Sequence, residues 1–501
     1  MSNDHDPTPT DRKLERYLLA IFFFVYLFTA KGYLEVSDTE YSALTAEAIV
    51  TRGEFALAAE AGTAYTRMGR DGRPYSKYGI GTPLYFAPYA FVGHYAGGAA
   101  RLPAADLTRF LLSFANVPIA ILTLWLFARI LRVFEIREPT IRLLLVGLGL
   151  GTLFWRYAVY DFTEMLQCCG ITAGVYGLVR RKGDYALRDG LGPAALVLVK
   201  LVHVVLLPLF AGYILLRPRD SMRSRLRDLV IYFAPSTAAL ALILAANYFR
   251  FGNPLETGYG SEASLFSLAQ LSQTVPALLF SGDKGLLLFC PLLVVGVLGW
   301  RRFAQLRPRE AALCAAIVAV EFVLAATWHS WIGGWSWGPR LLVPTIPLWL
   351  LPAAFWLDAS TSRVRRDAVA LLVAVSIVAQ FNGVFVKEQQ IQHMRHGMLT
   401  ADERAAADSD YLAGWRIFLH KLTADDTTTS CTTHVFGLPD GRLLDISQYS
   451  TFVGINVWTE HTARRFGKRA IRYLPLIGLA AIGFCLLRIA MIARAARADS
   501  K

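Results

Sequence analysis

Apolar runs alternate along this chain with short arginine-rich gaps. The runs are roughly 18–25 residues long, enough to cross a hydrocarbon core about 30 Å thick. This alternation constrains the fold more than any motif does. A backbone crossing lipid must satisfy its polar groups within itself, so each run is expected to be a helix. Spans are expected at 15–33, 107–130, 140–159, 163–180, 188–200, 203–216, 228–248, 285–300, 310–328, 340–357, 367–386 and 471–492. Composition agrees, with 54% of the 501 residues hydrophobic and 18% charged. A soluble chain carries about a quarter charged residues. The expected class is an all-α polytopic membrane protein.

The formal net charge of +13 would by itself suggest a nucleic-acid partner. Its placement points elsewhere. Arg129/Arg132/Arg137, Arg180/Arg181/Lys182, Arg217/Arg219/Arg223/Arg225/Arg227, Arg301/Arg302/Arg307/Arg309 and Arg363/Arg365/Arg366 each fill a gap between apolar runs. Basic loops mark the cytoplasmic side. With the N-terminus inside, all five clusters fall inside, and so does the tail Arg494/Arg497/Lys501. Arg12, Lys13 and Arg16 precede the first run, and no small-residue cleavage site follows it. The first helix is therefore expected to stay uncleaved.

Two stretches resist a simple count. The segment 83–100 is apolar but holds Pro83, Pro88 and His94, and is expected to lie along the outer interface. The stretch 188–216 is short for two crossings and reads as a hairpin of short helices with its tip near Lys200. The resulting organisation is a cytoplasmic tail at 1–14, a transmembrane module at 15–386 with a first outer loop at 34–106, a small extracytoplasmic region at 387–470, and a last helix and tail at 471–501. Within 387–470, a helix is expected over Glu388–Ala407. The turn signal Leu438-Pro439-Asp440-Gly441 lies between Val435-Phe436 and Leu443-Leu444. Of six cysteines, only Cys431 lies outside an apolar run. This is neither a disulfide framework nor a zinc spacing, and buried small hydrophobes are expected.

The first outer loop concentrates acid. Glu35, Asp38 and Glu40 open an amphipathic helix that ends at Gly53, and Asp38 is suited to its N-cap. Gly72 to Pro83 follows, with Lys77 and Tyr78 at its centre. Lys200 sits inside an apolar run, where a charge costs about 2.5–3.5 kcal/mol at a helix centre and functional use is the default reading. His203 follows one turn later. Tyr160-Asp161 occupies the next outer turn, with Glu164 just beyond. Trp337-Gly338-Pro339-Arg340 opens another run that continues to Pro344 and Pro347.

Asp38, Gly53-Glu54-Phe55, Lys77 with Pro83, Asp161, Val199-Lys200 and the Arg340 run occur in an order that resembles the GT-C superfamily of membrane glycosyltransferases. The likeness is to the protein O-mannosyltransferase and lipid A aminoarabinose transferase branch, over about residues 15–386. The acidic motif departs from that pattern as Asp38-x-Glu40, and Tyr78 stands between Lys77 and a late Pro83. The resemblance implies a GT-C-like bundle of about twelve transmembrane helices. It implies transfer of a hexose or pentose from a polyprenyl-phosphate donor to a glycan, lipid or protein acceptor. The active site would face the outside of a bacterial inner membrane, with both termini cytoplasmic.

The residue chemistry fits that reaction. A carboxylate must take the acceptor's proton, which suits Asp38, with Asp161 as a second catalytic acid. Cations must meet the departing lipid phosphate, which suits Lys77, Lys200 and Arg340. Glu40, Tyr78, His203, Trp335 and Trp337 are candidate substrate contacts. Asp38, Glu40, Asp161 and Glu164 have the oxygen chemistry to hold a divalent cation, and no cofactor is assigned. Gly334-Trp335-Ser336-Trp337-Gly338 fits G-x-S-x-G, but that motif needs a strand–turn–helix and here joins two membrane runs. No Walker loop, dinucleotide fingerprint or H-E-x-x-H is present. Two other readings stand beside the transferase. A lipid or glycan flippase would show inverted repeats, and none is visible. A polysaccharide polymerase or ligase would use the late outer region 387–470.

Overall fold

The computed structural model describes residues 8–58, 65–100, 102–180, 184–218, 221–360, 362–388, 391–392, 409–423, 435–437, 443–445, 455–465 and 469–498. Most of them are helical. Helix α1 (Pro9–Thr29) starts where the Thr8 hydroxyl accepts the Asp11 amide and proline occupies the first turn, a helix-start signature. Helix α2 (Ser37–Arg52) ends at Gly53, whose φ of +68° suits glycine. A two-stranded ribbon of β1 (Thr66–Met68) and β2 (Pro74–Ser76) leads to α3 (Gly81–Ala100) and α4 (Ala104–Leu112). Helices α5 (Asn116–Val133), α6 (Glu138–Leu150), α7 (Leu153–Ala158) and α8 (Glu164–Val179) follow.

Among the described residues six helices are long and apolar enough to cross a membrane, at Ala104–Val133, Met222–Phe251, Pro308–Thr327, Arg340–Asp358, Arg363–Phe385 and Ala470–Ala495. They mark an integral membrane protein. About twelve are expected from the sequence, and several of the remaining apolar blocks are broken. The block 140–159 divides into α6 and α7 at Gly151-Thr152, where the Thr152 hydroxyl caps the second piece. The block 188–216 divides into α9 (Leu191–Val199), a 3-10 turn at Leu201–Leu206 and α10 (Leu207–Leu215). Next come α11 (Met222–Phe251) and α12 (Leu271–Phe280). The block 285–300 divides into α13 (Leu286–Phe289) and α14 (Leu293–Leu306), with Pro291 between them unable to donate a backbone bond. Helix α15 (Pro308–Thr327) runs unbroken, and α16 (Ile346–Leu350), α17 (Ala353–Asp358), α18 (Arg363–Ala379) and α19 (Phe381–Phe385) complete the bundle.

One large core joins α1, α5 to α8 and α13 to α17 around Phe22, Tyr26, Phe127, Phe154 and Tyr157. A second, small cluster unites Ala43 and Ala46 of α2 with Phe86 and Ala90 of α3 and with Leu112. Its alanines let three helices approach closely, and they form the platform from which Asp38 projects. The last helix, Pro475–Ala498, leaves Leu476, Ile477, Leu479, Phe484 and Leu487 exposed. Such a surface calls for hydrocarbon around it.

Within 387–470, β3 (Val435–Gly437) pairs antiparallel with β4 (Leu443–Asp445), Val435 opposite Asp445. These are the segments that flank the expected turn. The turn itself, Leu438 to Gly441, lies outside the described residues, as do Cys431 and most of the helix expected over Glu388–Ala407. The other five cysteines are free thiols.

Candidate functional site

A cavity of about 1500 Å³ is lined by α2, the Lys77–Thr82 stretch, α8, the break around Lys200, α11, α15 and the loop from Trp328 to Leu341. Its polar wall gathers Asp38, Lys77, Tyr78, Lys200, His203 and Arg340, and its apolar wall includes Val197, Leu201, Val205, Ile243 and Leu324.

Asp38 sits in the first turn of α2, but the N-cap is Val36, which makes no side-chain cap bond. The expectation that Asp38 caps this helix is therefore corrected. Its carboxylate instead faces the cavity. Oδ1 accepts the Tyr78 hydroxyl at 2.6 Å, and Oδ2 stands 3.8 Å from Arg340 Nη2. Burial and the neighbouring Asp38 carboxylate push the Tyr78 phenol well above its ordinary range. Tyr78 therefore keeps its proton and acts as donor. Arg340 Nε stands 3.8 Å from the Glu164 carboxylate, and its guanidinium lies 4.3 Å from the Phe162 ring centroid. Contacts at 3.8 Å are charge contacts rather than hydrogen bonds. One guanidinium thus serves two carboxylates. The positive φ of Gly333, +77°, and the 2.8 Å approach of Arg340 Cγ to its absent side chain explain a glycine there.

Lys77 donates to Glu262 at 2.8 and 3.1 Å. The rings of Tyr65, Tyr259 and Tyr78 surround its ammonium at 5.4, 5.5 and 5.9 Å. Lys200 lies at the break after α9 with extended backbone, φ −149° and ψ 107°. Its ammonium makes no hydrogen bond or ion pair with the described residues, and it lines the cavity. The two lysines line one cavity because the start of α3 rests on the end of α9. A side chain at Gly81 would come 2.4 Å from the Leu198 carbonyl. His203 is buried, with Nδ1 2.8 Å from Glu321 and Nε2 2.8 Å from Gln167 Oε1.

The other expected residues divide, and Glu40 is one that also lines the cavity. Glu40 is two positions from Asp38 and so on another face of α2. Arg109 holds it at 2.9 Å and holds Glu47 at 3.0 Å. Trp335 lines the cavity and is 43% exposed. Trp337 is 1% exposed and packs against the rings of Phe289 and Tyr411 at 4.8 and 6.0 Å. It is a core residue, which corrects its place among the substrate contacts. Ser336 is 0% exposed, so its hydroxyl meets no substrate. Asp161 does not line the cavity. Its Oδ2 accepts the amides of Glu35 and Val36, each at 3.1 Å. Burial and the Glu35 carboxylate raise its pKa to about 8. This position corrects the reading of Asp161 as a catalytic acid.

The four carboxylates with the chemistry to hold a cation are otherwise engaged, Glu40 by Arg109, Asp161 by backbone amides, and Asp38 and Glu164 together by Arg340. Among the described residues no three of His, Cys, Asp and Glu gather in a metal-holding group. Sequence reasoning missed Glu262, Glu321, Gln167, Tyr65 and Tyr259. Glu321 carried a signal, as an acid deep in an apolar run. Gln167 lies within the apolar helix α8, and Glu262, Tyr65 and Tyr259 sit in or beside loops with nothing local to mark them.

No protein-family model matches the chain, and no curated protein matches it. Among solved structures, the Archaeoglobus fulgidus oligosaccharyltransferase in its apo form superposes with a TM-score of 0.50 at 12% identity, over 78% of this chain and 59% of that one. ArnT from Cupriavidus metallidurans bound to undecaprenyl phosphate gives a TM-score of 0.49 at 15% identity, over 96% of this chain and 76% of that one. The archaeal oligosaccharyltransferase AglB in complex with an inhibitory peptide and a dolichol-phosphate gives 0.49 at 12% identity, over 85% and 61%. At these identities the likeness concerns architecture alone. The chain shares the overall architecture of the Archaeoglobus fulgidus oligosaccharyltransferase.

Proposed function

We propose that the chain is an inverting glycosyltransferase that takes its sugar from a polyprenyl-phosphate donor at the non-cytoplasmic face of a bacterial inner membrane. The bundle would cross about twelve times, some crossings by broken helices, with both termini in the cytoplasm. The carrying observation is the pairing of Asp38 with Tyr78 and Arg340 in the same cavity as the unpaired ammonium of Lys200.

The acceptor's hydroxyl oxygen attacks the anomeric carbon, and Asp38 takes the proton. The bond from that carbon to the phosphate oxygen breaks, and the lipid phosphate leaves with the electron pair. Charge grows on the phosphate as it leaves, and Lys77, Lys200 and Arg340 are the cations available to meet it. The phosphate replaces Glu262 at Lys77. The apolar wall formed by Val197, Leu201, Val205, Ile243 and Leu324 takes the first isoprene units.

The test is donor turnover by the purified full-length chain in nanodiscs. A panel of labelled undecaprenyl-phosphate hexoses and pentoses is supplied, with a cell-envelope fraction as acceptor source. Wild type transfers label from at least one donor, and Asp38→Asn transfers none while unfolding at the wild-type temperature. Retained transfer by that variant removes Asp38 from the mechanism. No turnover of any donor by wild type removes the transferase reading.

A further inference from the structure

We infer that Asp161 and Asn116 are positioning residues, and that the turn at 160–162 holds both the general base and the arginine paired with it. The inference rests on the role proposed above for Asp38. It begins with Asn116, at the start of α5 and buried. Its amide nitrogen donates to the carbonyls of Tyr160 at 2.6 Å and Phe162 at 2.8 Å. Those two bonds seat the turn on the bundle.

Three side chains then reach out from it. Asp161 Oδ2 gathers the amides of Glu35 and Val36 at 3.1 Å each. Val36 is where α2 begins, its carbonyl accepting the amides of Thr39 at 3.1 Å and Glu40 at 2.9 Å. The Thr39 hydroxyl returns a bond to the Asp161 carbonyl. The Phe162 ring underlies the guanidinium of Arg340. The Tyr160 ring underlies the guanidinium of Arg156, 3.8 Å away, and Arg156 faces Glu35 at 3.9 Å. The two partners of the Asp38–Arg340 contact come from distant parts of the sequence, yet both rest on these three consecutive residues.

Asp161 is buried and absent from the cavity wall, so its carboxyl does not meet sugar or phosphate. The clamp needs only an acceptor oxygen at the Oδ2 position. Asparagine offers one in nearly the same shape, and alanine offers none. A base requires the carboxylate, whereas a clamp does not.

The experiment compares wild type, Asp161→Asn, Asp161→Ala, Asn116→Ala and Asp38→Asn, all full-length and in nanodiscs. The readouts are turnover of the panel donor that wild type uses and binding of undecaprenyl phosphate. Asp161→Ala and Asn116→Ala are expected to lower kcat on the order of 100-fold, the scale of a misplaced reacting group. Donor KM and the Kd for undecaprenyl phosphate change far less than kcat, because Lys77 and Lys200 line the cavity from outside this turn. Asp161→Asn keeps kcat within about five-fold of wild type, as expected when one neutral acceptor replaces another. The inference is overturned if Asp161→Asn unfolds like wild type yet is as inactive as Asp38→Asn. It is also overturned if Asp161→Ala weakens undecaprenyl phosphate binding as much as it lowers kcat. Should Asp161→Ala fail to fold, the contrast between Asp161→Asn and Asp38→Asn still decides. An active Asp38→Asn is a different failure, one of the base assignment itself, and this inference falls with it.

Discussion

Two neighbouring buried acids, Glu35 and Asp161, respond to pH with opposite signs. Burial would raise Glu35, but Arg156, Lys387 and Lys31 overcome it and hold the carboxyl at about 2. For Asp161, burial and Glu35 raise the pKa from 3.8 to about 8. A raised acid stabilises the fold fully below its unfolded pKa, and that contribution is lost as pH climbs through the folded value. Thermal stability of wild type should therefore decline between about pH 4 and 8, and Asp161→Asn should flatten that decline. An identical pH profile for the two proteins would refute it. Lys77 yields a second prediction. Its bond to Glu262 is partly exposed, and such pairs contribute about 0.2–1 kcal/mol. Glu262→Gln should thus tighten undecaprenyl phosphate binding by up to about five-fold, and weaker binding would count against Glu262 as the group displaced. At this scale the sequence pointed to Lys200, a cation inside an apolar run, and to Arg340 at the head of another, and it overlooked Glu321, an acid inside a third. It was silent on Trp335 against Trp337. The two are near neighbours, and the positive φ values of Gly333, Gly334 and Gly338 decide which one faces the cavity.

Among the elements, the apolar runs were legible and their interruptions were not. Length and hydropathy are local, whereas the break after α9 depends on what leans against it. Gly79 and Gly81 let the start of α3 rest on the Leu198–Val199 backbone, and that contact places Lys77 and Lys200 on one cavity. Gly81→Val must push this contact apart. Overpacking of this kind costs about 1–3 kcal/mol, so the unfolding temperature should fall and undecaprenyl phosphate binding should weaken together. Unchanged binding would mean that the α3–α9 contact does not set the lysine placement. The short pairing of β3 with β4 was also readable, because a proline–aspartate–glycine turn between two apolar pairs is a local signal.

Across the whole molecule, the arginine clusters carry the sidedness. They predict that Arg67, beside the cavity loops, faces outward and that Arg307, between α14 and α15, faces the cytoplasm. In a Cys431→Ser background the remaining native thiols lie within apolar runs. A membrane-impermeant maleimide applied to intact cells should then label Arg67→Cys and spare Arg307→Cys. The reverse pattern would invert the topology and remove the proposed site from the outer face.

A chamber of about 1500 Å³ with ionic walls does not stay dry. At roughly 30 Å³ of liquid per molecule it has room for on the order of 50 waters. Water offers the same O–H that an acceptor would bring, so a donor that arrives alone should be slowly hydrolysed. Free sugar appearing without any acceptor would then identify the donor first, leaving the partner to be found afterwards with a substrate already in hand.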